Sequence, residues 1–392
     1  MSKTIPTGGI AKTFAKDLLV DPKTRNVNSF VHTVTAAASS SSVSRAQEFL
    51  KEVEAPTEAK AYGSYEELVQ DPNTDIIYIA TPHSNHYQNA MLCLEAGKNV
   101  LCEKAFTVNA AQARKLAEKA KEKDLFLMEA MWTRYFPISI YVRDLITSGK
   151  IGNVTRTFAD LSVNFHPATA FADGKSRMIN PELAGGALLD MGIYALHWVF
   201  QTLYHTQPED QRECPVVVSS MKMYEHSAVD EMTSMLITFP RAVGGAAHGV
   251  ATASMAVAAD PDLKGTAGPP IKIFGDKGQI QVYPPIHRPT KTRVILDDGT
   301  VREKEWPQPG PGKNSGWYND YPPERKRNPE GEGHGMFWEA DEAAMALIEG
   351  RKEGRFLGLD ESIVVMEVMD EVRRQNGLVF PDKIESTDSV TL

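Results

Sequence analysis

Lys104 stands where the short apolar run Asn99-Val100-Leu101-Cys102 gives way, through Glu103, to a loop. In open α/β sheets ligands gather in the crevice beyond the carboxyl ends of parallel strands, so a lysine at such an exit is placed for chemistry. The alternative is a lysine that simply surfaces and is solvated. Asp190 and Tyr194 lie four residues apart in Gly185-Gly186-Ala187-Leu188-Leu189-Asp190-Met191-Gly192-Ile193-Tyr194, which leads into a helix containing His197 and Trp198. On a helix the pair shares a face, so a carboxylate and a phenol can converge on one substrate. A phenol that ordinarily titrates at about pH 10 becomes a useful acid/base when an ammonium stabilises its phenolate, and Lys104 can supply that charge. Otherwise Tyr194 is a buried phenol, hydrogen-bonded for packing.

The elements around these residues follow two grammars. From Gly8 to about Trp132, helix-period segments alternate with short apolar or β-branched runs, the pattern of βαβ units on a parallel sheet. Ile10, Phe14 and Leu18 form a helical stripe; Val31 to Ala38 reads as a strand, Arg45 to Val53 as a helix, and Ile76 to Ala80 as a buried strand stopped by Thr81-Pro82. His86 to Ala96 is a helix closed by Gly97, Asn109 caps a helix over Ala110 to Lys123, and Leu125 to Met128 is another strand. After Pro137 and a linking helix over Ile138 to Ser148, alternating strands such as Val154 to Val163, Met232 to Phe239 and Ile271 to Val282 indicate a largely antiparallel sheet. Gly275-Asp276-Lys277-Gly278 reads as a hairpin turn, and Trp306 to Gly335 as an irregular excursion or a partly mobile loop. Helices over Met336 to Glu349 and Glu361 to Gln375 close the chain. The expected division is residues 1–136 and 137–392, in the α/β class.

Three motifs of the first half concern a cofactor. Pro6-Thr7-Gly8-Gly9-Ile10-Ala11 matches the dinucleotide fingerprint GxGxxA, except that Pro6 replaces the first glycine. Gly8 would let the backbone approach a pyrophosphate at the helix N-terminus formed by Gly9, Ile10 and Ala11, whereas Pro6 has no N–H and a fixed φ. A glycine pair before a helix is also a common plain turn. The strand before it reads as Thr4 and Ile5 alone, which is expected from a start codon placed too late or from a weakened cofactor site. At the end of the second strand, where an acid would hold a ribose 2′-hydroxyl, the chain has Ser39-Ser40-Ser41-Ser42 followed by Arg45. Hydroxyls with an arginine suit a 2′-phosphate and favour NADP over NAD, although four serines can equally be a polar turn and helix cap. Thr81, Pro82, His83, Asn85 and His86 follow the Ile76 strand, where the nicotinamide ribose would lie. His83 and His86 lack a carboxylate or cysteine at metal-ligand spacing, so capping and cofactor contact are preferred and no metal is expected.

The 392 residues carry a formal charge of -9, which argues against a general affinity for nucleic acid or anionic membrane. No apolar run approaches the roughly 20 residues of a membrane span. The N-terminus lacks an apolar leader core, and Cys93, Cys102 and Cys214 are a sparse, odd set, so a reducing cytoplasm is expected. Small-molecule chemistry is favoured.

Together these residues resemble the Gfo/Idh/MocA oxidoreductase family, from Gly8 to about Pro381. The family's Glu-Lys-Pro triplet appears as Glu103-Lys104-Ala105, and its Asp followed four residues later by His appears as Asp190 with Tyr194 in the His place. Tyr194 is similar to the branch of dimeric dihydrodiol dehydrogenases and fungal NADP-dependent D-xylose 1-dehydrogenases. So are Tyr62-Gly63-Ser64-Tyr65-Glu66-Glu67-Leu68, Met128-Glu129-Ala130-Met131-Trp132-Thr133-Arg134 and Gly335-Met336-Phe337-Trp338-Glu339-Ala340. The resemblance implies a Rossmann domain followed by an α/β domain whose large open sheet builds a homodimer, with NADP as cofactor and a sugar or diol as substrate. It implies that Tyr194 is the acid/base, that Lys104 lowers its pKa, that Asp190 orients substrate or Tyr194, and that Trp132 borders the pocket. Glu103, Trp132 and Arg134 would join Lys104 on the cofactor side. The chain departs from the pattern at Pro6, at Ser41, where many NADP-binding relatives have Arg, and at Ala105.

Overall fold

A parallel sheet of six strands carries the first half of the chain. In the computed structural model, which describes residues 8–242, 244–320 and 327–388 and the backbone of 2–6, its strands are β1 (Ser2–Pro6), β2 (Thr33–Ala38), β3 (Lys60–Tyr62), β4 (Ile76–Ile79), β5 (Asn99–Glu103) and β6 (Leu127–Ala130). Their order is β3-β2-β1-β4-β5-β6. The order reverses between β1 and β4, which opens a crevice at the strands' carboxyl ends. β1 is longer than the two residues its sequence suggested, because its backbone is paired on both sides: Ser2 to Pro6 with β2 and Lys3 and Thr4 with β4. Thr7 lies outside the described residues.

The helices crossing between these strands are α1 (Gly9–Leu18), α2 (Val43–Glu52), α3 (Tyr65–Val69), α4 (His86–Glu95) and α5 (Ala110–Glu122). α1 buries Phe14 and Leu18, and the Phe14 ring stacks on Tyr78 of β4 at 3.7 Å between centroids. That contact fixes the glycine end of α1 above the crevice. Asn109 caps α5 by accepting the Gln112 N–H at 2.9 Å, and Gly97 ends α4 with φ +76°, as the sequence led one to expect.

After α6 (Pro137–Thr147) comes β7 (Val154–Ser162), then the short α7 (Pro167–Ala170) and the apolar α8 (Ile193–Leu203). Strands β8 (Val216–Met223), β9 (Asp230–Phe239), β10 (Ala247–Ser254), β11 (Ile271–Gly275), β12 (Gly278–Val282), β13 (Lys291–Leu296) and β14 (Val301–Glu305) complete a second sheet ordered β14-β13-β12-β11-β7-β10-β9-β8. All neighbours are antiparallel except β7 and β10. α8 lies across that parallel pair. It comes so close that a Cβ at Gly249 of β10 would fall 2.2 Å from the Val199 side chain. The helical stretch Pro181–Leu203 has the length and composition of a membrane span, a longer apolar run than anticipated, and 89% of its most apolar window is buried inside the protein. It is a core helix.

The last elements return to the first sheet. Through its described residues, the excursion after β14 is anchored rather than loose: Asp17 of α1 accepts N–H bonds from His334 at 2.9 Å and from Gly335 and Met336 at 2.7 Å, and Asn319 donates to it at 2.6 Å. A buried carboxylate saturated by donors holds a segment lacking regular structure. α9 (Phe337–Ile348) then packs near α1, and α10 (Leu359–Asn376) lies on α5 and β6, followed by α11 (Asp382–Glu385).

Candidate active site

Lys104 leaves the end of β5 and crosses to the second sheet's helix. Its ammonium donates to the Asp190 carbonyl at 2.8 Å and to Asp190 Oδ1 at 3.0 Å, so it is not the solvated lysine of the bland alternative. Arg177 adds a second cation, with Nη2 at 3.1 and 3.2 Å from the two carboxylate oxygens, and His83 Nε2 lies 4.0 Å from Oδ1. Burial works against the Asp190 charge, but Arg177 and Lys104 outweigh it and hold the carboxyl well below its usual range. The cluster is an anchored carboxylate beneath two cationic groups.

Asp190 and Tyr194 reach this point together, although not on one regular helix. Leu188–Gly192 form a π turn that runs into α8, a local widening often found at functional sites. The turn is fixed from β9: Asp230 Oδ2 accepts the Leu188 N–H at 2.8 Å and the Thr233 hydroxyl at 2.6 Å. Gly186 makes this approach with φ +113°, and a Cβ there would lie 2.2 Å from Asp230 Oδ1. Only glycine fits.

The Tyr194 hydroxyl accepts the Trp132 indole N–H at 2.6 Å, and the Lys104 ammonium sits 5.0 Å from the centre of its ring. This differs from the expectation that Lys104 lowers the phenol pKa. The ammonium is turned to Asp190, while burial, the Glu103 carboxylate and Asp190 push the phenol well above about 10 despite the Trp132 bond. Trp132 in turn stacks on His334 at 4.7 Å and 16°. His287 faces both rings, at 5.8 Å from Tyr194 and 6.2 Å from Trp132. Arg177, His287 and His334 escaped the sequence reading because each comes from an irregular segment without periodicity or motif.

On the cofactor side, Gly8 is the N-cap of α1 with no side chain to cap it, and a Cβ there would meet only the Ala80 carbonyl at 3.8 Å. Among the described residues no side chain caps the first-turn N–H groups of Gly9, Ile10 and Ala11, which can therefore face an anion, although the Ala11 side chain is itself core. At the end of β2 the serines divide. Ser42 caps α2 by accepting the Arg45 N–H at 3.3 Å, Ser39 is buried and bonds Ser41 at 2.8 Å, while Ser40, Ser41 and Arg45 are exposed. A phosphorylated ribose fits that exposed set.

The Thr81 to His86 segment is braced by backbone contacts. His83 Nδ1 lies 3.1 Å from the Ala184 carbonyl, and His86 sits between the Ala105 and Thr81 carbonyls at 2.8 and 2.9 Å. Asn85 accepts from Ser84 at 2.8 Å, and Pro82 opens the turn. Burial pushes His83 down to about 3 and His86 down to about 4, with the two carbonyls working against burial at His86. With both His86 nitrogens facing carbonyls, metal ligation is the poorer account, and among the described residues no group of three or more His, Cys, Asp or Glu could hold a metal. Glu103 is buried, accepts the Tyr78 hydroxyl and the Lys104 N–H, and is pushed up to about 7 by burial.

Arg134 is a correction. It lies fully buried, with Nη1 2.7 Å from Glu361 and Nη2 2.6 Å from the Phe356 carbonyl, and offers no surface to a cofactor. Trp132 and Arg134 lie on a short 3₁₀ turn that sends one side chain into the site and the other into the core.

Residues 7–131 match the GFO/IDH/MocA oxidoreductase family with its NAD-binding Rossmann fold, and residues 140–281 match the GFO/IDH/MocA C-terminal domain. The chain is 52% identical over 382 residues to a D-xylose 1-dehydrogenase (NADP(+)) of Hypocrea jecorina, covering 96% of this chain and 92% of that one. It is 34% identical over 350 residues to the trans-1,2-dihydrobenzene-1,2-diol dehydrogenase of Homo sapiens, covering 89% and 90%. Levoglucosan dehydrogenase, solved with NADH and levoglucosan, shares the fold with a TM-score of 0.74 at 17% identity, over 96% of this chain and 97% of that one.

The placement of Arg134 makes its variants informative. Arg134→Met removes the nearest cation from the buried Glu361, leaving His205 bonded to it, and we expect a loss of about 3–5 kcal/mol in urea unfolding. Unchanged stability with weakened cofactor binding would return Arg134 to the ligand.

Proposed function

The chain belongs to the Gfo/Idh/MocA oxidoreductase family, and on that premise we propose that it is an NADP-dependent dehydrogenase oxidising D-xylose, or a similar aldopyranose, at C1 to the lactone. The observation that carries this reading is the convergence of Lys104, Asp190 and Tyr194 at the crevice, in a chain 52% identical to the fungal D-xylose enzyme. Exposed Ser40, Ser41 and Arg45 at the end of β2, with no acid among them, support NADP over NAD. A catalytically silent relative is disfavoured by retention of all three site residues.

The bound dinucleotide supplies the hydride acceptor and a positive nicotinamide ring. The chain's own residues handle the oxygen and its proton. Lys104, held in place by Asp190, has a hydrogen to donate to the sugar C1 oxygen, where negative charge develops as its proton leaves and is discharged as hydride passes to the nicotinamide. Tyr194 takes the C1 hydroxyl proton. The Trp132 N–H, already on the Tyr194 oxygen, steadies the phenolate form. Burial makes that phenolate scarce in the free enzyme.

The second sheet supports a homodimer. Val216 and Val218 of edge strand β8 and Met232 and Leu236 of β9 are exposed on one face, and Val218 pairs directly with Leu236. An exposed apolar face of this kind is commonly covered by another chain. Light scattering is expected to give twice the chain mass, reduced to one by Leu236→Asp; a monomeric wild type removes the dimer.

The functional test is NADP⁺ and NAD⁺ reduction with D-xylose, D-glucose and a trans-dihydrodiol. NADPH formation with D-xylose is expected, and turnover of the diol alone would shift the proposal to that substrate. The free enzyme's phenol titrates well above its ordinary range, so kcat/KM for oxidation rises by about one log unit per pH unit through neutrality and has not levelled off by about pH 9. Tyr194→Phe lowers kcat about 10²–10⁴-fold and flattens the profile. A wild-type plateau near neutrality contradicts this placement of the proton.

A further inference from the structure

His287 stands in the wall of the site with a fixed backbone and an unused ring. Its own carbonyl accepts the Thr133 hydroxyl at 2.7 Å. The preceding Ile286 carbonyl accepts the Trp198 indole at 2.9 Å, and the following Arg288 binds the carbonyls of His334 at 3.0 Å and Gly333 at 2.8 Å. Three consecutive residues are thus pinned to a strand-end turn, a core helix and the excursion. The imidazole they position makes no hydrogen bond among the described residues, and its Nδ1 is buried without a partner. Buried polar atoms are rarely left unpaired, so this nitrogen is fit to bond a ligand.

The ring's surroundings narrow the choice. It faces Tyr194 and Trp132 at 5.8 and 6.2 Å between centroids, near enough to Lys104 and Asp190 to feel both charges. Burial, with Arg288 and Lys104 adding to it, pushes its pKa down to about 4, so the ring is neutral and offers one donor and one acceptor. A hydroxyl, which also donates and accepts, pairs with either tautomer.

We infer that His287 is a specificity-determining residue that hydrogen-bonds a sugar hydroxyl other than the one being oxidised. The inference rests on the aldopyranose reading of the site. It distinguishes substrates by hydroxyl count: a pyranose has hydroxyls beyond the reacting one and its neighbour, whereas a trans-dihydrodiol of benzene has only those two. A site built to bond a hydroxyl rejects analogues lacking it, because the protein group is left unpaired.

The experiment compares wild type, His287→Ala and His287→Gln on D-xylose and its 2-, 3- and 4-deoxy analogues. On D-xylose, His287→Ala should lower kcat/KM about tenfold, mostly through KM, and His287→Gln should recover part of the loss. For one deoxy analogue, wild type and His287→Ala should be equal, because the bond has already been removed from the substrate side. A uniform loss on every substrate, or no loss on any, overturns the inference while leaving the sugar reading intact. A wild type that does not oxidise D-xylose or any other aldopyranose overturns both.

Discussion

The ion pair between Lys104 and Asp190 is the contact on which the site depends. It joins the end of a strand in the parallel sheet to the helix packed on the other sheet, 86 residues further along the chain. Both charges are mostly withdrawn from solvent, and a buried pair tolerates desolvation only when its remaining bonding capacity is met. Here it is met by the Asp190 carbonyl on one side and by Arg177 on the other. The result is a carboxylate that stays ionised and an ammonium kept in place beside a phenol.

Around that pair the protein builds a rigid aromatic wall from distant pieces of chain. Asp17 on α1 fastens His334, His334 stacks on Trp132, and Trp132 bonds Tyr194. The glycine end of the same helix opens onto the crevice. Cofactor end and phenol are thereby referenced to one helix, so the distance between them is set by packing rather than by a loop. Asp230 and Gly186 complete the frame by fixing where the π turn begins.

Much of this was legible in the sequence, for identifiable reasons. Strand ends marked by Thr81-Pro82 and by Lys104 follow from short apolar runs with clear stops, and β4 and β5 end there. Asp190 and Tyr194 were found by spacing, yet the π turn that carries Asp190 is invisible to a 3.6-residue periodicity. Arg134 was misassigned because sequence adjacency to Trp132 says nothing about direction, and Glu361, its partner, lies 227 residues away. The parallel pairing of β7 with β10 and the placement of Arg177, His287 and His334 are tertiary facts with no local signal. In the serine run Ser42 is the helix cap, while Ser40 and Ser41 are exposed.

The central claim is that Asp190 keeps the Lys104 ammonium aimed at the reacting oxygen. Asp190→Asn keeps the shape and removes the charge, so the most direct measurement is single-turnover reduction of NADP⁺ by this variant, with cofactor affinity followed by fluorescence titration. The account predicts a hydride-transfer rate about 10²-fold slower, with NADP affinity within about threefold of wild type. A variant whose hydride transfer is as fast as wild type would contradict it.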